Sequence, residues 1–359
     1  MSGVRYRVGW DASAAAVARP TGVANAITRL AAALAARPDV ELCQYLRVSR
    51  WRRRALLRGP VGGRRRWLTP LGVAGRGLSV FHGPDTRVPR RCGVPRVATI
   101  HDFSALQDQG FCRGSFRETR ARHYREAAER AALIVVYTEA VAQEVCDRLS
   151  WSRERLAVVP LAPVLPALDA AERAAARSAA PSPYILVLGE LSRRKNTASA
   201  LAAFAEARGR SSCLRSFDMV VVGAPGYGAE EALVRLDDPG VRALGYVSAE
   251  RVPALVAGAE ALFFPSRYEG FGLPVVDALR LGVPVIAGDI PALREVGGDA
   301  VCYVHPEDLD AQASALVRLA EDSAFGEGLR IRGPERAGLF SWERSASALA
   351  AAYARACEP

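Results

Sequence analysis

The chain has 359 residues, 50% hydrophobic and 24% charged, a balance that excludes a disordered chain and, at roughly 100 to 200 residues per domain, suits two domains. Its 48 basic and 38 acidic residues leave a formal charge of +10, which favours an anionic partner (nucleic acid, membrane surface or phosphorylated ligand) without choosing among them. Seven scattered cysteines with no C-x-x-C pair point to neither a disulfide framework nor a zinc site, and no stretch comes near the roughly 20 apolar residues of a spanning helix. Residues 1–7 lead into a short strand-like run and not a signal-peptide core, so the expected location is cytoplasmic.

In chain order, residues 4–10 read as a strand, 23–36 as an amphipathic helix, and 40–48, 78–82 and 96–101 as strands. A helix over 116–130, a strand at 133–137, a helix at 140–149 and a strand at 156–161 follow. Strand and helix alternate throughout, which is the pattern of a parallel sheet covered on both faces; the fold class is α/β. From 162 to 183 the composition shifts to Ala and Pro without a strand signal, as in a linker. The alternation then restarts with strands at 184–189, 219–223, 241–247, 261–265 and 284–287, separated by helices such as 197–207 and 251–257. The expected organisation is therefore an N-terminal domain over 1–165, a linker over 166–183, a C-terminal domain over 184–340, and a last helix over 341–359 that crosses back toward the first domain. Two such Rossmann-like, doubly wound domains leave a cleft between the carboxyl edges of their strands, where ligands of such sheets bind.

The most specific stretch is Pro265-Ser-Arg-Tyr-Glu-Gly-Phe-Gly-Leu-Pro-Val-Val-Asp277, read as a strand end, a glycine turn and a helix. Gly270 and Gly272 let backbone approach a ligand, and the helix opening at Leu273 and Pro274 offers free N–H groups to an anion. Glu269 and Asp277, eight positions apart, can accept hydroxyls at two ends of an extended ligand such as a nucleotide sugar. The same residues also fit a plain turn with a capping Glu and a first-turn Asp. A second stretch, Gly189-Glu-Leu-Ser-Arg-Arg-Lys-Asn196, follows a strand and precedes a helix. It holds Lys195, the lone lysine among the basic residues. Arg194 and Lys195 at that edge suit a diphosphate; a solvated basic turn is the other reading.

These two stretches resemble those of the retaining glycosyltransferases of family 4, which have the GT-B fold: an R-K pair before the first helix of the second domain, then E-G-F-G-L-P with a second acid eight positions after the first. The similarity extends through 244–248, 289–295 and 340–343. In the first half, Pro20-Thr-Gly-Val-Ala24 is similar to the family's glycine loop and Thr99-Ile-His-Asp102 to its T-I-H-D strand end. Asp277 stands where the family most often has Glu, and Glu190 where many members have arginine.

Carried over, the resemblance implies that Arg194 and Lys195 bind the donor diphosphate with backbone groups of Gly22, Gly270, Phe271, Gly272 and Leu273. It gives Glu269 the hydroxyls of the donor sugar, Asp277 the ribose, and His101 the sugar near the reacting carbon. It implies no metal and no cofactor beyond the donor, a GDP-sugar or UDP-sugar, with leaving diphosphate stabilised by Arg194, Lys195 and helix N-termini. Residues 81–85 with the following T-I-H-D look most like mannosyltransferase members, so GDP-mannose is the first donor, with UDP-sugars next. The acceptor would be a hydroxyl of a glycan, lipid-linked sugar or metabolite, in making polysaccharide, lipopolysaccharide or a glycosylated metabolite.

The cluster Arg50, Arg52, Arg53, Arg54, Arg58, Arg64, Arg65 and Arg66, interleaved with Trp51 and Trp67, fits a peripheral contact at the inner face of a membrane and equally a solvated loop. Nucleic-acid binding is the rival from another class, but no helix-turn-helix, zinc-finger or RNP pattern supports it and acids in the proposed cleft oppose it. A dehydrogenase is rejected because no G-x-G-x-x-G follows the first strand of this chain. A catalytically inactive GT-B partner subunit is the remaining alternative.

Overall fold

The computed structural model describes residues 6–57, 66–69, 72, 75, 77–107 and 110–358. Of the arginine cluster, Arg58, Arg64 and Arg65 lie outside these residues, as do the first two positions of the strand expected at 4–10.

In the first half, strands β1 (Tyr6–Asp11), β2 (Val40–Arg47), β3 (Arg66–Leu68), β4 (Val80–Gly83), β5 (Arg96–Thr99), β6 (Leu133–Val136) and β7 (Leu156–Val158) alternate with helices α1 (Gly22–Ala35), α2 (Gly114–Arg130) and α3 (Glu139–Leu149). The strands form one parallel sheet in the order β3-β2-β1-β4-β5-β6-β7. After α4 (Ala170–Ser178) come β8 (Tyr184–Leu188), α5 (Thr197–Arg210), β9 (Asp218–Val222), α6 (Glu230–Val234), β10 (Val241–Gly245), α7 (Val252–Ala257), β11 (Ala261–Phe264), α8 (Leu273–Arg280), β12 (Val285–Gly288), α9 (Pro291–Gly297), β13 (Cys302–Val304), α10 (Leu309–Glu321), α11 (Ser323–Ala337) and α12 (Trp342–Cys357). The second sheet, also parallel, runs β10-β9-β8-β11-β12-β13. Each sheet has the doubly wound order that reverses direction beside its first strand, between β1 and β4 and between β8 and β11. That reversal opens the crevice where ligands of such sheets bind.

The sequence explains these elements. Strands β4, β6, β11 and β12 are buried at every residue, which continuous apolar runs achieve only when helices cover both faces. Helices start where a side-chain oxygen meets a free N–H: Thr21 caps α1, Thr138 α3, Asp308 α10 and Ser341 α12. In the second sheet, Leu201 and Phe204 of α5, Met219 of β9 and Phe263 of β11 share one fully buried cluster. Truncating a buried Phe of this kind costs ~3–5 kcal/mol.

The described chain divides into two compact units, Met1–Leu106 with Ser115–Ala162 and Phe340–Pro359, and Gln107–Gly114 with Pro163–Leu339. Residues 166–183, read from composition as linker, fall in the second unit and hold α4. Asp169 accepts from the Glu172 N–H while Glu172 reaches back to the Asp169 N–H, a capping box that starts a helix in an Ala-rich stretch. Within the first unit, α12 packs on α1 and on β4, β5, β6 and β7. Its Tyr353 hydroxyl is hydrogen-bonded to His82 Nδ1 at 2.7 Å, and His82 Nε2 to Thr99 Oγ1 at 2.8 Å, all three groups buried.

Candidate functional site

In the second unit, the loops that follow β8 and β11 are the two that flank the sheet's reversal point. Strand β8 ends into Gly189, at φ +136°, and the chain then turns through residues 190–196. Asn196 closes this turn in the left-handed region at φ +57°. Its buried side chain donates to the Pro306 carbonyl at 2.7 Å, which fixes the loop to the chain beyond β13. That anchor escaped the sequence reading, which saw Asn196 only as part of a motif; a non-glycine residue at positive φ is tolerated most readily when it is Asn.

The turn carries Arg194 and Lys195 toward the loop after β11. Lys195 Nζ donates to Glu269 Oε1 at 2.6 Å and lies 4.3 Å over the ring of Phe264, the last residue of β11. Arg194 Nη1 approaches the same oxygen at 3.1 Å and donates to the Tyr268 carbonyl at 3.0 Å. Backbone joins the two loops as well, with Arg267 N–H donating to the Arg194 carbonyl at 2.9 Å. Burial alone would raise the Glu269 carboxyl, but Arg194 and then Lys195 outweigh it and hold it below its ordinary value. The result is one buried carboxylate between two cations whose side chains keep 22% and 13% exposure.

Gly270, Phe271 and Gly272 turn the chain from Glu269 into α8. Gly272 sits at φ +97°, and a Cβ there would meet Leu293 Cδ2 at 2.5 Å, so both its conformation and its surroundings require glycine. Helix α8 opens at Leu273 with Pro274 in its first turn and no side-chain cap. Pro274 has no N–H and Val275 N–H donates to the Gly272 carbonyl at 2.9 Å, so the Leu273 N–H and the positive end of the helix dipole are what this turn offers an anion. The structure therefore brings Arg194, Lys195, Glu269 and the 270–273 turn together.

Asp277 lies one turn further along α8 and is buried. Its Oδ1 accepts from the backbone N–H groups of Val164 at 2.6 Å and Leu165 at 2.9 Å. Where the resemblance assigns Asp277 to a ribose, the structure shows this oxygen holding the segment that leads into the second unit. A cavity of about 1070 Å³ elsewhere in this unit is lined by Ser192, Arg193, Thr197, Arg267 and Glu307 but by none of Arg194, Lys195 or Glu269. It shares the 192–197 loop yet not the converging charges.

In the first unit, Gly22 is the first residue of α1, directly after the Thr21 cap whose Oγ1 accepts from Ala24 N–H at 3.2 Å. His101 follows β5 at the carboxyl edge of the first sheet. Its Nε2 is 2.8 Å from the Pro84 carbonyl and its ring is 5.2 Å from that of Tyr137. Because a carbonyl can only accept, Nε2 carries the hydrogen and Nδ1 of the neutral ring keeps its lone pair. Burial is the main cause that lowers this imidazole, and the nearby Asp85 only partly opposes it. Asp102, beside it, accepts from Ser104 N–H and Oγ at 2.9 and 2.7 Å, a local turn contact.

Residues 182–322 match the family model described as glycosyl transferases group 1. The O-antigen chain mannosyltransferase B of Escherichia coli is 29% identical over 301 residues, covering 76% of this chain and 74% of that protein. The D-inositol 3-phosphate glycosyltransferase of a Nocardioides species is 30% identical over 289 residues, which is 74% of this chain and 63% of that longer protein. Among solved structures, the sucrose-phosphate synthase of Thermosynechococcus elongatus superimposes with a TM-score of 0.74 at 21% identity, over 98% of both chains. The two-sheet fold described above is thus the GT-B fold of such enzymes.

Proposed function

From the match of residues 182–322 to the glycosyl transferases group 1 model, we propose that this chain is a glycosyltransferase that moves a hexose, mannose from GDP-mannose in the first instance, to a hydroxyl acceptor with retention at the anomeric carbon. The observation that carries this reading is the convergence of Arg194, Lys195 and the uncapped mouth of α8 on Glu269, at the reversal point of the second sheet. A guanidinium and an ammonium beside a helix N-terminus are what a leaving diphosphate needs, and a preorganised set of donors is the main lever when no nucleophile is supplied.

The diphosphate would take Arg194, Lys195 and the backbone of Gly22, Gly270, Phe271, Gly272 and Leu273. Glu269, released from part of its ion pairing as phosphate arrives, would accept hydroxyls of the transferred sugar. His101, neutral and with a lone pair on Nδ1, would accept a sugar hydroxyl near the reacting carbon. Asp277 would serve the ribose through whatever capacity remains beyond its bonds to Val164 and Leu165. The acceptor hydroxyl would attack the face that the diphosphate leaves and pass its proton to the departing phosphate oxygen, a path that needs no metal and retains configuration. Mannose is preferred because the O-antigen relative is a mannosyltransferase; polysaccharide or lipopolysaccharide assembly is the corresponding setting. A UDP-sugar donor is the second reading.

Calorimetric titration with GDP and UDP, followed by NMR of the anomeric proton of the product, tests both parts. Absence of binding by either nucleotide overturns the site, and an inverted product overturns the mechanism.

A further inference from the structure

The net positive charge of this protein comes from one stretch of its sequence. Between Glu41 and Asp85 run 43 residues that contain ten arginines and no acidic residue; the remaining 38 basic residues equal the 38 acidic ones, so the rest of the chain is formally neutral. Within this stretch β2 ends at Arg47 and the chain enters a 3-10 segment, Val48–Leu56, in which no residue is buried. Trp51 is 51% exposed, Val48 48% and Trp67, on the edge strand β3, 36%. The two indoles contact each other, with ring centroids 5.0 Å apart, and the Arg54 guanidinium lies 4.1 Å over Trp51. Arg52, Arg53 and Arg54, which follow Trp51 in the chain, are exposed.

Solvent alone gives no reason to gather two tryptophans at the surface inside a field of arginines. An indole has an apolar body and a polar N–H, and it settles at the level of lipid headgroups; arginine pairs with phosphate and stacks on aromatic rings. We infer that this corner of the first unit, centred on Trp51 and Trp67 and rimmed by Arg52, Arg53 and Arg54, docks the enzyme on a bilayer surface rich in anionic phospholipid. The occupant is chosen by charge complementarity and by the exposed aromatic pair together. Single-stranded RNA would pair with the arginines and stack bases on the indoles but offer no apolar medium to Val48, whereas the headgroup boundary of a bilayer takes all three. None of these residues belongs to the diphosphate site, and the inference stands whether the donor carries guanine or uracil.

Vesicles of phosphatidylcholine with and without phosphatidylglycerol provide the test. The protein is expected to sediment with the anionic vesicles only, to be released as salt shortens the Debye length, and to show a blue-shifted tryptophan emission that Trp51→Ser diminishes. The triple variant Arg52→Gln, Arg53→Gln, Arg54→Gln is expected to lower vesicle partitioning on the order of a hundredfold, while its circular dichroism and its nucleotide titration match those of the parent. Three results overturn the inference: no binding to anionic vesicles at low ionic strength, equal binding of the triple variant, or single-stranded RNA binding tighter than vesicle binding and lost in the same variant. Failure of nucleotide binding in the parent would overturn the donor reading and leave the vesicle result to be judged by itself.

Discussion

Lys195 and Glu269, the lone lysine of the chain and the acid of the glycine turn, meet at 2.6 Å across the reversal point of the second sheet. A cation held by a carboxylate before any ligand arrives is positioned without loss of the charge that a diphosphate will need, because Arg194 shares the same oxygen. Lys195→Ala is expected to lower turnover by roughly 10²–10³, the effect of removing one charge-stabilising donor, with an unaltered circular dichroism spectrum. Steady-state kinetics with the preferred donor decide it, and unchanged turnover removes Lys195 from the phosphate site.

Glu269→Gln keeps the shape of the side chain and removes its charge. Arg194 and Lys195 then face the diphosphate unopposed, so nucleoside diphosphate affinity is expected to rise about tenfold, or 1.4 kcal/mol, a fraction of the ~4 kcal/mol that two unit charges 4 Å apart exchange near a protein surface. Turnover should fall in the same variant, because an amide is a poorer acceptor for the sugar hydroxyls. Calorimetry and kinetics on one preparation read both; an affinity that drops instead would mean that Glu269 organises the cations more than it competes for them.

Asp277→Ala removes the acceptor of two backbone N–H groups at Val164 and Leu165. A hydrogen bond to a charged group contributes ~1.5–3 kcal/mol, so the ligand-free protein is expected to lose about 3 kcal/mol and melt several degrees lower, with Asp277→Asn losing less. A contact made only to ribose predicts no such change without nucleotide. Thermal denaturation in the absence of ligand separates the two.

Burial holds His82 near a pKa of about 3 and lowers His101 as well, so the fold prefers both rings neutral. A group whose folded pKa is depressed contributes fully above its unfolded value, here 6.5, and its contribution fades as pH falls below that toward the folded value. Urea midpoints are therefore expected to fall between pH 6.5 and 5, before carboxylates such as Glu269 and Asp85, also lowered in the fold, begin to protonate. His82→Gln, whatever its absolute stability, should show a shallower dependence across that window. An equal slope in the variant would assign the effect to other groups.

Much of this arrangement was readable in the chain. Short continuous apolar runs mark the buried strands, and the glycine turn with its flanking acids marks the mouth of α8, because both are local patterns. Part of what was not readable is short or distant; helices α10 and α11 were also not named. Strands β3 and β13 have three residues each and are held in place by their neighbours, so no periodicity can build up. Helix α4 was hidden by an Ala-rich composition, although the Asp169 and Glu172 pair was present as a start signal. The bond from Asp277 to Val164 spans 113 positions, and no local pattern in α8 shows that its aspartate holds backbone from before the second sheet.

The pairing of His82 with Tyr353 joins residues 271 positions apart within one unit. A chain emerging from the ribosome therefore exposes the helix-facing side of its first sheet long before α12 exists to cover it, and the entire second unit can close in the meantime. Maturation of the protein is thus reversed with respect to its genetic order: the half translated first is the one completed last, and shortening the carboxyl end would injure the beginning of the protein.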